Sequence, residues 1–511
     1  MLDHNAQKRP DSIAIYCDGR QHTFKEHHEN AQRLAAALLE LGCQEGERVA
    51  IMSRNSVEYL ELYAACALAG IILVPVNFRL SDREVGWVCE NTQPRVFFYT
   101  PEYEEARNFL SDGFPCIQNF ICIDEAPGRD TRFAELRNSV SNCQLDYRAN
   151  EQDAACIVHT SGTTGKAKGA VLGQGGLYAV ANAIATDAAI EETDVGLVMQ
   201  PLFHVGARFL QLAHHARGAA IRLEREFEPT RVWKILAKKQ VTTIQVVPTM
   251  LAVLLEQYQG DYPPTSLNTI FYSTAPIANK LLRKGLSVFG QVFLQQYGST
   301  EAGQVTSLAK SLHMTEGNDQ EQAWLQSAGQ VNKGVEMQII DGDNRPVSAG
   351  EVGEICVKNP WLFLGYWNDK NSTRAAMLNG YLRMGDMGYL DERGFLYIVD
   401  RKKDMIISGG ENIYPREVEL ALEKHQAVSE VAVIGIPDER WGESVLAVVV
   451  CREEAKVGES ELIAHCQAHI ASYKKPRKVL FVDALPRNSM GKVDKPAIRA
   501  PWWSHRPGQL V

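Results

Sequence analysis

The order of apolar and polar positions divides the chain into three styles. Over the first 150 residues helical and strand periods alternate: Asn30 to Leu41 is helical, Arg48 to Met52 is a short apolar run, Ser56 to Ala69 is helical again, and Ile71 to Val76 is continuously apolar. Strands this uniformly apolar predict burial on both faces, as in parallel sheet covered by helices. The style returns at Val241 to Val247, Asn268 to Ser273 and Gln291 to Gln295, each closely followed by Pro, Gly or Thr. The carboxyl ends of such strands are where an open α/β sheet holds its ligands.

From about Gly334 short strands are separated by Gly, Asp and Asn turns, as in VEMQIIDGDNRPV, GEICVK and GFLYIVD, which predicts a compact mostly-β unit. A third style follows Asp400-Arg401-Lys402-Lys403-Asp404. It reads as a helix over Pro415 to His425, strands over Val431 to Ile436 and Leu446 to Cys451, a helix over Glu459 to Ile470 and a strand over Lys478 to Val482. The expected fold class is therefore α/β: a large N-terminal domain, 1–402, of helix-covered sheets with a β-rich subdomain at about 334–400, then a small α+β domain, 403–511. The tail AIRAPWWSHRPGQLV is expected to be loosely held.

Composition narrows the function. With 45% hydrophobic and 23% charged residues the chain is that of a soluble globular protein, and 53 basic against 62 acidic side chains, a formal charge of -9, leave no electrostatic footprint for nucleic acid. The longest uncharged apolar stretch, Leu62 to Val76, falls short of the roughly 20 residues a bilayer-spanning helix needs, so no membrane span is expected. The N-terminal MLDHNAQKRPDS carries charges where an export signal needs an apolar run. Eleven cysteines without a C-x-x-C suggest reduced thiols in a cytoplasmic protein, with neither disulfides nor a cysteine-bound metal.

The chemistry begins at Thr160-Ser161-Gly162-Thr163-Thr164-Gly165-Lys166-Ala167-Lys168-Gly169, between the apolar segments Ala154 to Val158 and Ala170 to Leu172. Three glycines let backbone amides turn toward an anion, four hydroxyls add donors, and two lysines add charge, a combination suited to a polyphosphate. It is not a Walker loop, because the four-residue gap and the Ser or Thr after Lys are missing. The segment resembles the phosphate-binding loop of the adenylate-forming superfamily, which includes acyl-CoA synthetases, adenylation domains of peptide synthetases and firefly luciferase; Ala167 stands where that family usually has Pro.

The resemblance extends along nearly the whole chain. Tyr297-Gly298-Ser299-Thr300-Glu301 resembles the adenine and metal motif, implying stacking by Tyr297, an α-phosphate contact from Thr300 and a Mg²⁺ ligand in Glu301, with Thr160 as a second oxygen. Ser273-Thr274-Ala275-Pro276 is similar to the segment beside adenine and acyl group, where many relatives have Gly-Gly or Gly-Ala. Asp386 corresponds to the ribose-binding aspartate, Arg401 to the second ribose contact and Lys403 to the hinge. Ser408-Gly409-Gly410 resembles the turn of acyl- and aryl-CoA ligases, its glycines leaving a groove for pantetheine. Trp441, Tyr473 and the run Lys474-Lys475-Pro476-Arg477 fall where relatives contact CoA.

Lys492, in Pro486-Arg487-Asn488-Ser489-Met490-Gly491-Lys492, corresponds to the family's catalytic lysine. A single ammonium between an attacking carboxylate and the α-phosphate would stabilise charge on both. His204 lies at the aromatic or histidine position beside the acyl site, and the absence of a carboxylate near it disfavours an α-amino acid.

The resemblance thus implies an AMP-forming acid–CoA ligase with Mg²⁺, ATP and CoA, acting on a fatty or aromatic acid. Loading of an acyl carrier protein is the alternative, and a homodimer is left open. Arg208, the one permanent charge in FHVGARFLQLA, either shares a face with His204 toward the acid or turns to solvent or to a carboxylate.

Overall fold

The computed structural model describes residues 1–503 except 125–129, 141–144, 146, 148–149, 161–166, 259, 261–265, 275–276, 317, 410, 453–454, 456 and 489–490, and except the side chains of 319–320. Two compact units form. One comprises Met1–Met337, Val357–Leu382 and Gly394–Leu396; the other comprises Gln338–Cys356, Arg383–Arg393 and the chain from Tyr397 onward.

Two sheets build the first unit. One runs in the order Gln330–Val331, Gly303–Leu308, Phe293–Ser299, Thr269–Tyr272, Thr243–Val246, Val195–Val198, Ala220–Leu223, Ile13–Cys17, Arg20–Thr23. Neighbours are parallel from Phe293–Ser299 to Ile13–Cys17 and antiparallel only outside that span. The second runs Gly365–Tyr366, Lys168–Gly173, Ala154–Thr160, Ile72–Pro75, Arg48–Met52, Val96–Tyr99, Asn119–Cys122, Thr131–Arg132, and is parallel from Ala154–Thr160 onward. The continuously apolar strands are buried as expected: Ile244, Ile270 and Phe293 pack against Leu251, Leu254 and Leu282 from helices, and Ala50, Val74 and Phe97 against Val85 and Val88.

The first long helix begins at Phe24 rather than Asn30. Thr23 and Glu26 form a reciprocal capping box, which fixes the start, and Phe24 and His27 face the core. The β-rich segment forms a sheet in the order Glu336–Ile340, Gly353–Lys358, Tyr381–Leu390, Met377–Leu378, with Leu396–Arg401 paired to Tyr381–Leu390.

The C-terminal part carries Glu411–Ile413, Ile406–Ser408, Gly442–Cys451 and Val428–Asp438, with Lys478–Phe481 parallel to Gly442–Cys451. Val418 and Leu422 from the helix Pro415–Leu422, and Leu462 and Cys466 from the helix Glu459–His469, close its core.

The expectation of a loose tail fails up to Trp503. Residues Lys495–Trp503 are a helix in which Ile498 is buried, Trp503 Nε1 donates to the Gly435 carbonyl at 3.1 Å and Arg499 meets Glu443 at 2.8 Å. The apolar and aromatic residues of AIRAPWW cover the strand Val428–Asp438, while the remainder of the tail lies outside the described residues. No helix among the described residues is long and apolar enough to cross a membrane.

Candidate active site

Thr160 ends its strand opposite Lys168, so the loop between them leaves and re-enters one antiparallel pair. Of the predicted phosphate contacts, Ser161, Gly162, Thr163, Thr164 and Gly165 lie outside the described residues, as do Ala275 and Gly410. Two hydroxyls meet at Glu301. The Thr160 hydroxyl donates to Glu301 Oε1 at 3.3 Å, and the Tyr366 hydroxyl donates to the same oxygen at 3.0 Å. Lys168 Nζ stands 5.2 Å from the centre of the Tyr366 ring. Burial, then the charge of Glu301, pushes the Tyr366 phenol far above its ordinary range, so it stays a donor.

The turn that presents Glu301 is fixed by backbone geometry. At Gly298 a Cβ would lie 1.8 Å from the Gly303 carbonyl oxygen, and at Gly303, with φ +61°, a Cβ would lie 2.5 Å from Trp361 Cδ1, so neither tolerates a side chain. Phe363 N–H donates to the Glu301 carbonyl at 2.8 Å, Asn359 Nδ2 to the Ala302 carbonyl at 3.0 Å, and Ala302 N–H to Ser299 Oγ at 3.1 Å. Thr300 borders a small recess with Gly173, Gly176, Val180, Phe209 and Trp361.

Asn359, Trp361 and Tyr366 were not anticipated. The stretch NPWLFLGYW reaches the site only because Gly365–Tyr366 pairs with Val171 and Ala170, nearly two hundred residues earlier. Its density of Gly, Pro and aromatics was the one available signal.

Thr274 has φ +76°, a conformation a β-branched residue rarely holds, and this is the physical reason a glycine suits that segment. His204 precedes the helix Val205–Ala216 as its N-cap, with its ring 6.0 Å from that of Phe203. A Cβ at Gly206 would approach Gln245 Nε2 and Gln200 Oε1, at 3.2 and 3.4 Å, so this face of the helix looks at the strand Thr243–Val246.

The second unit gathers the remaining candidates in two places. Asp386, buried, receives Arg401 Nε at 2.7 Å. Desolvation and then the like charge of Arg401 lower the Lys492 ammonium, against a rise from Asp386, so the three groups share one neighbourhood. Asn488 fixes the Lys492 backbone: its N–H donates to the Lys492 carbonyl at 2.8 Å and its Oδ1 accepts the Lys492 N–H at 3.1 Å.

At the other place, Gly409 N–H donates to the Trp441 carbonyl at 2.8 Å, and a Cβ at Gly409 would lie 2.6 Å from Trp441 Cε3. The space left by the glycine, expected to be an open groove, is taken by the indole. Arg440 and Arg477 each stand 4.8 Å from the Trp441 ring centre. Tyr473 is exposed, Lys475 Nζ bonds to Ser472, and Lys474 is paired with Glu417 at 2.8 Å. Ser408 is buried opposite Gly442, and Lys403 is an exposed turn residue.

Mg²⁺ suits the first of these arrangements. Thr160 and Glu301 offer two hard oxygens 3.3 Å apart, close to the roughly 3 Å between adjacent oxygens around a cation that binds at about 2.1 Å, and Mg²⁺ commonly takes its other ligands from phosphate and water.

Two helix-covered sheets, a carboxylate–hydroxyl pair at the end of the strand Ala154–Thr160 and a lysine-bearing second unit are the features of an adenylate-forming enzyme, and the chain belongs to the AMP-binding enzyme family. The family model matches residues 2–367, and the AMP-binding enzyme C-terminal domain matches 417–492. The chain is 32% identical over 510 residues to the fatty acid–[acyl-carrier-protein] ligase ScoC of Streptomyces coeruleorubidus, covering 98% of this chain and 95% of ScoC. It is 33% identical over 495 residues to a 2-succinylbenzoate–CoA ligase of Bacillus cereus, 96% of each chain. Its fold is similar to o-succinylbenzoate CoA synthetase of Bacillus subtilis in complex with the acyl-adenylate OSB-AMP, with TM-score 0.86, 32% identity and coverage of 100% and 99%.

Proposed function

We propose that the protein is an ATP-dependent acid–thiol ligase acting on a fatty or aromatic acid, with CoA as the thiol. The observation that carries it is the meeting of the Thr160 and Tyr366 hydroxyls on Glu301, with Lys168 beside the Tyr366 ring. In the first step a carboxylate oxygen attacks the α-phosphorus, the bond to pyrophosphate breaks, and acyl-AMP forms. Mg²⁺ held by Glu301 and Thr160 would supply charge neutralisation for the departing pyrophosphate. The loop Thr160 to Lys168 orients the phosphates, Thr300 contacts the α-phosphate, Ser273, Thr274 and Tyr297 border the adenine, and Asp386 with Arg401 holds the ribose hydroxyls. Lys492 stabilises charge on both reacting groups.

In the second step the thiol sulfur attacks the acyl carbonyl and AMP leaves. On this reading domains 1–402 and 403–511 rotate about Lys403 between the steps, withdrawing Lys492 and bringing Ser408 to Gly410 and Trp441 forward. Tyr473 and Lys475 then serve the CoA nucleotide, and His204 gates the acyl side. All ten described cysteines are free thiols, which fits a cytoplasmic enzyme.

Carrier-protein loading is the second reading. It is favoured by the likeness to ScoC and by Lys474, whose charge is taken up by Glu417 rather than left for a CoA phosphate.

The test is pyrophosphate release across fatty and aromatic acids, followed by competition between free CoA and a phosphopantetheinylated carrier. Lys492→Ala should lower acyl-AMP formation by roughly 100-fold or more while thioester formation from supplied acyl-AMP persists. Equal loss of both half-reactions would remove the moving-lysine assignment. Glu301→Gln should raise the Mg²⁺ concentration needed for half-maximal pyrophosphate release by roughly tenfold, and an unchanged requirement would place the metal elsewhere.

A further inference from the structure

A cluster of imidazoles on the C-terminal unit takes no part in the chemistry above. Glu461, His465 and His469 recur every four residues on the helix Glu459–His469 and so lie along one face. The rings of His465 and His469 are 4.3 Å apart, and that of His425, from the turn after the helix Pro415–Leu422, is 4.9 Å from His465. Three imidazoles this close gain nothing from proximity as protons are added, since each charge repels the next. They suit a cation that binds nitrogen lone pairs.

The hydrogen bonds assign those lone pairs. A carbonyl only accepts, so His465 Nε2, 3.1 Å from the Ala421 carbonyl, carries a proton, and so does His469 Nδ1, 2.8 Å from the His465 carbonyl. Each neutral ring therefore keeps a lone pair on its other nitrogen, Nδ1 of His465 and Nε2 of His469. Donation of the second ring N–H to a backbone carbonyl is the arrangement that supports a metal-ligating histidine.

His425 plays a different part. Its Nδ1 accepts the Ala427 N–H at 3.2 Å, so Nε2 is its protonated nitrogen and faces Glu461 Oε1 at 3.5 Å, steadying the carboxylate at the edge of the cluster.

We propose that His465 and His469, completed by Glu461, form a binding site for a divalent transition metal of the Zn²⁺ or Ni²⁺ type. Among the described residues no three such side chains already converge on one point. Backbone partners fix the tautomers of the histidine pair, whereas Glu461 is exposed and would have to turn from His425 to reach the ion. Imidazole nitrogen prefers such ions to Mg²⁺, so the site stands apart from the adenylation metal and does not depend on the proposed reaction. Its effect on the fold is a brace: His465 reaches the last turn of Pro415–Leu422 through the Ala421 carbonyl, so an ion on His465 ties Glu459–His469 to Pro415–Leu422.

Titration calorimetry on the full chain with Zn²⁺ and with Ni²⁺, in buffer containing excess Mg²⁺, tests this. The expectation is one site of roughly micromolar affinity, weakened about tenfold or more in His469→Ala and in His465→Gln, and less in Glu461→Gln. His469 is exposed, so His469→Ala tests the site even where His465→Gln fails to fold. Affinity in His469→Ala equal to that of the parent chain, or no binding tighter than about millimolar, would overturn the proposal. Saturating Zn²⁺ should also raise the melting temperature of the parent chain and not that of His469→Ala.

Discussion

Two buried polar regions of the molecule solve the same physical problem in opposite ways. Between the helices Phe24–Glu40 and Val205–Ala216, burial pushes His27 down to about 3 and His215 well below its ordinary value, and on the side of the second helix that faces Gly196 it pushes His214 to about 4. These rings stay neutral, with backbone partners for His214 and His215 in the Leu210 and Ala14 carbonyls. In the C-terminal unit buried carboxylates meet cations and backbone N–H groups. Glu419 binds Lys495 at 2.8 Å, lies near Arg416 and accepts the Val433 backbone N–H at 3.0 Å, while Asp400 accepts the backbone N–H groups of Arg401 and Arg416. A large core can enclose neutral rings at the cost of desolvation alone. A small unit has less apolar mass and fastens its elements with ion pairs.

The two regions should therefore answer acid with opposite signs, and this is the largest effect expected. The depressed histidines contribute stability that is full above pH 6.5 and is lost as pH falls toward their folded values, on the order of 5 kcal/mol for the three by pH 5. Asp400 is raised from 3.8 to about 6, first by burial, so its contribution is full below 3.8 and lost as pH rises through 6. Calorimetry from pH 7 to pH 5, with limited proteolysis to identify which unit opens, should show the first unit losing stability while the Asp400 region gains. Asp400→Asn should remove that gain. Parallel acid responses in the two units would break the contrast.

The next effect is mutational. Glu419→Ala removes a carboxylate that serves Lys495, Arg416 and a backbone N–H at once, and should cost about 3–5 kcal/mol in urea denaturation of the C-terminal unit. A loss under about 1 kcal/mol would mean that water replaces the carboxylate and that the ion pairs do not brace this unit.

How much of this was readable depends on whether a feature is local. Arg48–Met52 is the strand its apolar run predicts, and Lys478–Phe481 and Glu459–His469 fall within a residue of their expected ends. Thr160, Lys168 and Glu301 announce themselves because loop chemistry and strand ends are encoded by neighbouring letters. The strand Tyr381–Leu390 alternates buried and partly buried positions in its own sequence, yet reads as a ribose motif because Asp386 draws the eye. Tyr366 could not be placed, since its role comes from pairing with a distant strand. The same holds for Gly409: a glycine reads as free space, and only the fold shows that Trp441 fills it.

Arg208 marks the boundary between the two regimes, and its expected effect is the smallest. The residue is half-buried and, among the described residues, meets no carboxylate. Its guanidinium lies 4.3 Å from the Tyr63 ring centre and donates to Gln211 Oε1; Gln211 in turn bonds His215 Nδ1 at 2.6 Å, and His215 reaches the Ala14 carbonyl at 3.2 Å. Gly206 looks at Gln245 and Gln200, and two residues further on the helix has turned through about 200°, so Arg208 sits across it from that face. Desolvation lowers the Arg208 pKa, and its charge adds to the depression of His27. It is a cation in a neutral region, fitted by a ring face and an amide instead of a counter-ion. Arg208→Leu should therefore change stability by no more than about 1 kcal/mol in either direction, because lost stacking and hydrogen bonding offset relief from desolvation. The ratio of kcat/KM between acids ending in methyl and in carboxylate should stay within about twofold of the parent value, whereas a shift of about tenfold, worth roughly 1.4 kcal/mol of discrimination, would bring the distal end of the substrate to Arg208.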